Sequence, residues 1–215
     1  MESVKKILRT VRDEVYRIGN EIRLVSPDQI YDEDWYERMA NDPQLRADVE
    51  HIVNVLYQEF QPASVIDLGC GVGHYLNSFQ KRGASIHGVE GAVSAFNHLQ
   101  VPKSTVEHHD LRTPYSTSDN YDLVVCFEVA EHLPESAAET LVDSITGCGQ
   151  TVTFTAATPG QSGTHHINLQ PHGYWIDLFE KRGYEYRAER TRELQEEMTV
   201  DAATWIPKNL MLFSR

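Results

Sequence analysis

The stretch Val65-Ile66-Asp67-Leu68-Gly69-Cys70-Gly71-Val72-Gly73 is an apolar run that ends in three alternating glycines. Its β-branched start predicts a buried strand, and the glycines predict a tight turn that opens a helix. Glycine tolerates positive φ angles and lets a ligand lie against bare backbone, so this is a candidate ligand loop; a purely structural turn is the alternative. The Gly-x-Gly-x-Gly spacing differs from the Gly-x-Gly-x-x-Gly of pyrophosphate loops, which usually keep an apolar residue where Asp67 stands.

Further short runs rich in β-branched residues flank this stretch, and helical patterns separate most of them. The predicted strands cover residues 64–68, 85–89, 104–108, 121–127, 150–156 and 208–214. A longer helix is predicted over residues 44–60, and Trp205 is expected to pack in the core or in a hairpin. Alternation of strands and helices is typical of the α/β class, with a parallel sheet and helices on both faces.

The N-terminal part differs from the rest: residues 1–43 are predicted to form a helical extension and lid, and residues 44–215 one α/β domain. Apolar residues recur at steps of three and four through residues 2–25, as on one face of a helix. This helix carries more basic than acidic side chains, so it suits a membrane surface or a partner, or else packs on its own core. Residues 26–43 are acidic and aromatic and predict a loop and short helix that close over a site.

The charge of the chain restricts its partners. The 215 residues carry 32 acidic and 19 basic side chains, a net charge of −13, which disfavours general nucleic-acid binding because that needs a basic face. No run approaches the roughly 20 apolar residues that cross a bilayer, and the start has no apolar signal core. The three cysteines lack the spacing of a disulfide framework. We expect a cytoplasmic protein, with contact to the inner face of a membrane through the first helix as an option.

Glu90 ends the second predicted strand, where its two oxygens can accept hydrogen bonds from ribose hydroxyls. With Glu90 and the glycine stretch together, residues 60–215 resemble the class I S-adenosylmethionine-dependent methyltransferases. The resemblance implies a Rossmann-like sheet of seven strands with an antiparallel final strand. It also implies S-adenosyl-L-methionine as cofactor, held by Asp67, Gly69 and Gly71 at its methionine and ribose, Glu90 at the ribose diol, Asp110 and Leu111 at the adenine, and Phe127 with Glu128 beside the transferring methyl group.

A cluster of acidic and imidazole side chains follows the fourth predicted strand. Residues 128–132 read Glu-Val-Ala-Glu-His, and residues 164–166 read Thr-His-His. A helical turn after the strand would place Glu128, Glu131 and His132 on one face. The pattern is similar to that of metal-dependent O-methyltransferases of small-RNA ends and of quinone biosynthesis, which implies Mg²⁺ or Mn²⁺ on Glu128, Glu131, His132 and His166 (or His165). In the alternative, metal-free site the histidine contacts cofactor or acceptor; Glu128, His132 and His166 are the candidate catalytic residues.

The segment 163–175 combines hydrogen-bonding side chains with two aromatic residues at its end, Tyr174 and Trp175. This composition suits a sugar, although the segment could equally cap a loop and pack in the core, where Trp175 is expected in either case. It is similar to glycan-modifying methyltransferases, and the whole chain resembles archaeal enzymes that methyl-esterify a hexuronic acid in a surface-layer N-glycan. That resemblance implies a glycan or lipid-linked sugar as acceptor, with Arg112 or Lys103 paired to the sugar carboxylate.

The reaction expected from these patterns is methyl transfer to a sugar oxygen, with the hexuronic carboxylate as the specific candidate. A sulfonium methyl is already activated, so a carboxylate acceptor needs no base, whereas a hydroxyl must lose its proton to a base or a metal-bound group. Two alternatives stay open. One is a metal-dependent O-methyltransferase of an RNA end or a quinol, and the other is a non-catalytic scaffold subunit that only binds S-adenosylmethionine.

Overall fold

The computed structural model describes residues 31–215, together with Gly19, Ser26 and Asp28. The helix predicted over residues 2–25 therefore lies outside the described residues, apart from Gly19. Within the described part, seven strands form one sheet. Their bounds are β1 Ser64–Leu68, β2 Ser85–Glu90, β3 Val106–His108, β4 Leu123–Phe127, β5 Thr151–Thr155, β6 Glu185–Tyr186 and β7 Met211–Ser214.

Helices of the described part pack around this sheet. The α-helices are α1 Glu33–Asn41, α2 Pro43–Phe60, α3 His74–Lys81, α4 Ala138–Thr146, α5 His172–Glu180, α6 Ala188–Glu197 and α7 Trp205–Asn209. Asp42 caps α2, because its carboxylate accepts the backbone N–H groups of Gln44 and Leu45. The helix predicted over residues 44–60 is confirmed, and among the described helices none is long and apolar enough to cross a bilayer.

The strands lie in the order β3-β2-β1-β4-β5-β7-β6. Strand β7 is antiparallel to both of its neighbours, and the other neighbouring pairs are parallel. Chain order reverses between β1 and β4, which is the switch point at which open α/β sheets bind ligands. The seven-stranded α/β fold is thereby confirmed, including its antiparallel strand.

Alternate residues of β4 face the two layers of helices. Val124 and Cys126 pack with residues of α4 and α5, whereas Leu123 and Val125 pack with residues of α2, α3 and α6. Because both faces of the sheet are covered, the strand reads as a continuous apolar run. Trp175 of α5 is fully buried in the first of these layers, as expected.

Three elements differ from the sequence predictions. Strand β3 begins later than predicted, because Lys103–Thr105 form a 3₁₀ turn before it. The edge strand β6 was not predicted, since two residues are too few to show an alternation of apolar and polar side chains. Trp205 does not pack in the core or in a hairpin: it begins α7 and is 42% exposed. The difference matters because Trp205 lies at the cavity considered below.

Helix α1 lies over the carboxyl edge of the sheet, where the sequence predicts a lid. Its inner face packs on the turns that follow β1 and β2, in a small core formed by Tyr36, Ala40, Val72, Ala92 and Ala95. The ring of His74, at the start of α3, approaches this helix as well, with Nε2 2.9 Å from the carbonyl oxygen of Met39. The helix is therefore fixed to the loop that the sequence identifies as a ligand loop.

Candidate functional site

A cavity of about 780 Å³ opens at the carboxyl edge of the sheet, beneath helix α1. Its walls come from the ends of β1, β2 and β4, from the turn after β3 and from the loop after β5. Parallel strands bring their carboxyl ends to one edge, so residues far apart in sequence meet there. The cavity is lined by all of the residues assigned to cofactor or metal, namely Asp67, Gly69, Gly71, Glu90, Asp110, Leu111, Phe127, Glu128, Glu131, His132 and His166.

The glycine turn after β1 forms a backbone cradle. Gly69, Gly71 and Gly73 have φ angles between +54° and +84°, which residues with a Cβ adopt only with strain. Glu90 fixes this turn from β2: one carboxylate oxygen accepts the N–H of Gly71 and the other accepts the N–H of Ala92, both at 2.8 Å. Each oxygen keeps a second lone pair, so Glu90 can still accept hydrogen bonds from a ligand.

Asp67 brings a second buried carboxylate to the same place. The residue is 2% exposed, and its Oδ2 atom accepts no hydrogen bond from any residue that the structure describes. Burial, and then the charge of Glu90, raises the pKa of Asp67 to about 8. Burial also raises the pKa of Glu90, although its backbone N–H donors oppose the shift. Two buried acids of this kind fit a ligand that brings hydroxyl and ammonium donors, as S-adenosylmethionine does.

The turn after β3 presents Asp110 and Leu111 to the cavity. Leu111 is buried, and Asp110 is bound by the guanidinium of Arg112, with Nε at 3.0 Å and Nη2 at 2.7 Å from its oxygens. The Nε–Nη2 edge of Arg112 is therefore taken up by Asp110. Lys103 lies over the ring of Phe96 and does not line the cavity, so its pairing with a sugar carboxylate stays a prediction.

The chain bends sharply after β4. Glu128 has a φ of +54°, and the residues Ala130–His132 form a 3₁₀ turn. The predicted helical turn from Glu128 is therefore wrong, because the left-handed residue redirects the chain before the turn begins. A side chain at Gly69 would collide with Val129, so the glycine turn also leaves room for this bend.

Three of the four predicted metal ligands come together. Ligand atoms of Glu131, His132 and His166 all lie within 4.8 Å of one another. Glu131 is fully buried, and its Oε2 atom accepts no hydrogen bond from the part of the chain that the structure describes. The fourth predicted ligand, Glu128, adjoins Glu131 but lies outside this group. Asn209 donates to the Glu128 carboxylate at 3.1 Å and holds it beside the cluster.

The electrostatics of the cluster favour a bound cation. Burial raises the pKa of Glu131, and the adjoining carboxylate of Glu128 raises it further. Burial, with a contribution from His166, lowers the pKa of His132 to about 3. His132 is therefore neutral at pH 7 and offers a lone pair, as a metal ligand must. Carboxylate oxygens beside two imidazoles form a ligand set that suits Mn²⁺ or Mg²⁺.

The loop after β5 supplies His166 to the cluster, rather than His165. A side chain at Gly163 would collide with the ring of His166, so the glycine is what allows this ring position. His165 has a φ of +56°, and its carbonyl oxygen lies 3.2 Å from Nδ1 of His132. Of the two histidines that the sequence left open, His166 is the one whose ring lies beside Glu131 and His132.

The polar side chains that follow His166 form hydrogen bonds within the protein. Asn168 is buried and donates to the carbonyl of Ala130 at 3.3 Å, and Gln170 donates to Asn168 at 3.0 Å. The backbone N–H groups of Ile167 and Asn168 donate to the carbonyl of Glu131. Neither Asn168 nor Gln170 lines the cavity, and sugar binding by this segment stays a prediction. Their hydrogen bonds hold the turn that carries Glu131.

Other residues at the cavity were not assigned from sequence. Tyr31, from the predicted lid segment, places its hydroxyl 2.8 Å from Nδ1 of His132. Asp48 of α2 accepts backbone N–H groups from residues 201–203, and this fixes the loop before Trp205, which also lines the cavity. The contacts of Tyr31 and of Asp48 each join positions more than 100 residues apart, so no local pattern could reveal them.

Residues 34–146 match the model of the family described as Methyltransferase domain (Methyltransf_23). A ubiquinone biosynthesis O-methyltransferase of Aeromonas salmonicida (strain A449) is 33% identical over 85 residues, which are 34% of this chain and 34% of that protein. The chain thus matches about a third of the length of this curated relative.

Solved structures share the fold. The plantazolicin methyltransferase BpumL, solved with a pentazolic desmethylPZN analog and SAH, has a TM-score of 0.61 at 16% identity and covers 96% of this chain and 98% of its own. The methyltransferase domain of bacterial CtHen1 has a TM-score of 0.52 at 21% identity, over 64% of this chain and 86% of that one. Since the family match covers more than half of the residues, the chain belongs to the methyltransferase-domain family, the class I enzymes that take their methyl group from S-adenosylmethionine.

Proposed function

We propose that this protein transfers a methyl group from S-adenosylmethionine to a hydroxyl oxygen, assisted by a divalent cation on Glu131, His132 and His166. The proposal is carried by one observation: this three-residue cluster and the buried carboxylates of Asp67 and Glu90 line the same cavity. A donor site and a cation site that share a cavity can present the two reacting atoms to each other.

The donor half of the cavity is assigned to residues from β1 to β4. Bound S-adenosylmethionine supplies an electrophilic methyl group on a sulfonium. Asp67 and Glu90 provide buried acceptors for its ammonium and hydroxyl groups. The glycine turn between them leaves room for its methionine moiety. The adenine and methyl positions are assigned, as the family resemblance implies, to Asp110, Leu111, Phe127 and Glu128.

The cluster favours a hydroxyl acceptor over a carboxylate. A hydroxyl is a weak nucleophile until it loses its proton, and a bound divalent cation lowers its pKa. Glu128 lines the cavity beside the cluster, so its carboxylate is placed to accept that proton. A hexuronic carboxylate would need neither group. For this reason the methyl ester of a uronic acid is less well supported than an ether at a hydroxyl.

The walls of the acceptor half favour a small molecule with a flat ring. Trp35 and Trp205 contribute aromatic faces, while the charged lining side chains that the structure describes are five acids and Arg112. Acidic walls disfavour the phosphates of an RNA end. A phenolic ring, as in a quinol, can stack on an indole and present a hydroxyl to the cation, and the similarity to a ubiquinone-biosynthesis enzyme supports that choice.

A sugar hydroxyl is the second candidate, because an indole exposed like that of Trp205 can also cover the apolar face of a sugar ring. Contact of residues 2–25 with a membrane, near a lipid-linked sugar, belongs to this candidate. The two candidate acceptors differ in the oxygen that receives the methyl group, which is phenolic in one and alcoholic in the other. One panel of acceptors therefore distinguishes them.

The direct test is a methyl-transfer assay with labelled S-adenosylmethionine and phenolic, sugar and RNA acceptors. Protein treated with EDTA should be inactive, and Mg²⁺ or Mn²⁺ should restore transfer to a phenol or a sugar hydroxyl. Full activity after EDTA would contradict the cation role, and transfer to RNA would contradict the argument from charge. Donor binding without transfer to any acceptor would favour the scaffold alternative.

A further inference from the structure

One segment connects the two halves of the cavity. We define the strap as Asp28 with residues 31–41, which include helix α1. On the donor side, Asp28 accepts hydrogen bonds from the N–H and the hydroxyl of Ser94 at 2.7 and 2.6 Å. Helix α1 rests on Val72 of the glycine turn and on the turn that follows Glu90. The strap is thus built onto the residues assigned to the donor.

On the other side, the strap reaches the cation cluster through Tyr31. The Tyr31 hydroxyl oxygen lies 2.8 Å from Nδ1 and 3.1 Å from Nε2 of His132, and 3.3 Å from the carbonyl oxygen of Thr164. The Tyr31 ring packs against Trp35 at 4.5 Å between centroids. This hydroxyl therefore donates to the Thr164 carbonyl, and its near-equal distances to the two ring nitrogens place it against the His132 ring.

The surroundings of His132 decide which ring nitrogen carries the hydrogen. A carbonyl oxygen only accepts hydrogen bonds, and that of His165 lies 3.2 Å from Nδ1. The hydrogen therefore belongs on Nδ1, where the His165 carbonyl accepts it. Nε2 then holds the lone pair. A metal-binding histidine depends on such a partner for its other N–H group, because that partner fixes both tautomer and ring orientation.

We propose that Tyr31 is a positioning residue for the cation and that the strap couples cation binding to donor binding. Tyr31 lies against the His132 ring and is hydrogen-bonded to Thr164, next to the His165 carbonyl that accepts Nδ1–H, so it keeps the ring in the position where Nε2 serves the cation. Donor bound beneath the strap holds Tyr31 in place and so raises the affinity for the cation. By linkage, the bound cation raises the affinity for the donor by the same factor. The inference rests on the proposed cation-assisted transfer and adds to it an ordered dependence between the two sites.

The test measures Mn²⁺ binding by the electron paramagnetic resonance signal of the free ion, with and without S-adenosylhomocysteine. For the wild-type chain we expect tighter Mn²⁺ binding in the presence of S-adenosylhomocysteine. Tyr31→Phe removes the hydroxyl and keeps the ring, so it should weaken Mn²⁺ binding by about tenfold and abolish the gain from S-adenosylhomocysteine. Its affinity for S-adenosylhomocysteine without Mn²⁺ should be unchanged, which shows that the variant folds.

Tyr57→Phe is the matched control. The Tyr57 hydroxyl donates to the carbonyl of Arg82 at 2.9 Å, and Tyr57 does not line the cavity, so this variant should behave as wild type. Equal Mn²⁺ affinity of Tyr31→Phe and wild type would overturn the role of Tyr31. A wild-type affinity for Mn²⁺ that is the same with and without S-adenosylhomocysteine would overturn the coupling. A wild type that binds no Mn²⁺ would instead overturn the proposed cation centre itself, so the failures are distinguishable.

Discussion

The donor half and the cation half of the cavity are built in different ways. In the donor half, Asp67 and the glycine turn belong to one strand–turn unit, and Glu90 ends the next strand and binds that turn directly. In the cation half, Glu131 and His166 come from separate loops, and Tyr31 arrives from a segment more than 100 positions away from the histidine it contacts. Neighbouring strands build the first half, whereas long-range packing builds the second.

This difference indicates which half of the cavity determines the choice of acceptor. The shape of the donor half depends largely on backbone, with glycines in left-handed conformations and N–H groups bound by one carboxylate. The cation half depends on side chains and loops that can each change without disturbing the sheet. Loops carried by a rigid scaffold are the usual place for specificity, so substitutions in the two halves should affect different steps.

The largest effect is expected from Glu131→Gln in the cation half. Glutamine keeps the shape of the side chain and removes its charge, so the cation should be lost and kcat should fall about a thousandfold, the equivalent of several kcal/mol. The affinity for S-adenosylhomocysteine without added metal, measured by calorimetry, should stay the same. Glu135→Gln, at an exposed position just beyond the same turn, is the control. Full activity of Glu131→Gln would remove the cation from the account.

In the donor half, Glu90→Gln should weaken donor binding. Glutamine can accept from only one of the two N–H groups that Glu90 now binds, and it loses charge-assisted bonds to a ligand. We expect calorimetry to show affinity for S-adenosylhomocysteine reduced about 10- to 100-fold, as for loss of a hydrogen bond to a charged group. Glu107→Gln, exposed on neighbouring β3, should bind as wild type. Unchanged binding by Glu90→Gln would mean that the donor lies elsewhere.

In the donor half, the buried carboxyl group of Asp67 makes the free energy of unfolding depend on pH. Its pKa is raised to about 8 by burial and by Glu90, against about 3.9 in an unfolded chain. The folded state thus binds the proton more tightly, and this contribution to stability is present at acid pH and lost as pH rises from about 4 to about 8.

In donor-free protein, Asp67→Asn should therefore be more stable than wild type near pH 8, by at least about 1 kcal/mol. The gain should vanish toward about pH 3, where the aspartate is protonated in both states. Urea unfolding at several pH values measures it, with exposed Asp119→Asn as the control. A gain that does not change with pH would show that Asp67 is already ionised in the folded protein.

The smallest effect is expected at the cavity rim. Trp205 is 42% exposed, so Trp205→Ala should scarcely change stability. We expect KM for a ring-bearing acceptor to rise about threefold to tenfold, the value of one aromatic contact, with donor affinity unchanged. Val93→Ala, exposed but outside the cavity lining, should leave KM as it is. A loss of donor affinity in Trp205→Ala would mean that Trp205 contacts the donor and not the acceptor.

The limits of sequence interpretation follow the same division. The sheet was predictable because β1, β4 and β7 carry apolar runs and β2 and β5 carry β-branched residues, whereas the two-residue strand β6 is too short to show a pattern. The turn that places Asp67 and Glu90 together was predictable because glycine and acid spacing reports a local turn. The Glu-x-x-Glu-His pattern predicted that Glu131 and His132 lie together, but not the left-handed Glu128 that rules out a helical turn. The partners of Tyr31 depend on packing between distant segments.

The central claim is that one cavity holds donor and cation together. Crystals grown with S-adenosylhomocysteine and Mn²⁺, measured at a wavelength where manganese scatters anomalously, test it most directly. The account predicts a single anomalous peak bounded by Glu131, His132 and His166, with S-adenosylhomocysteine bound along Asp67 and Glu90 in the same cavity. S-adenosylhomocysteine bound elsewhere, or no manganese peak at these three residues, would contradict it.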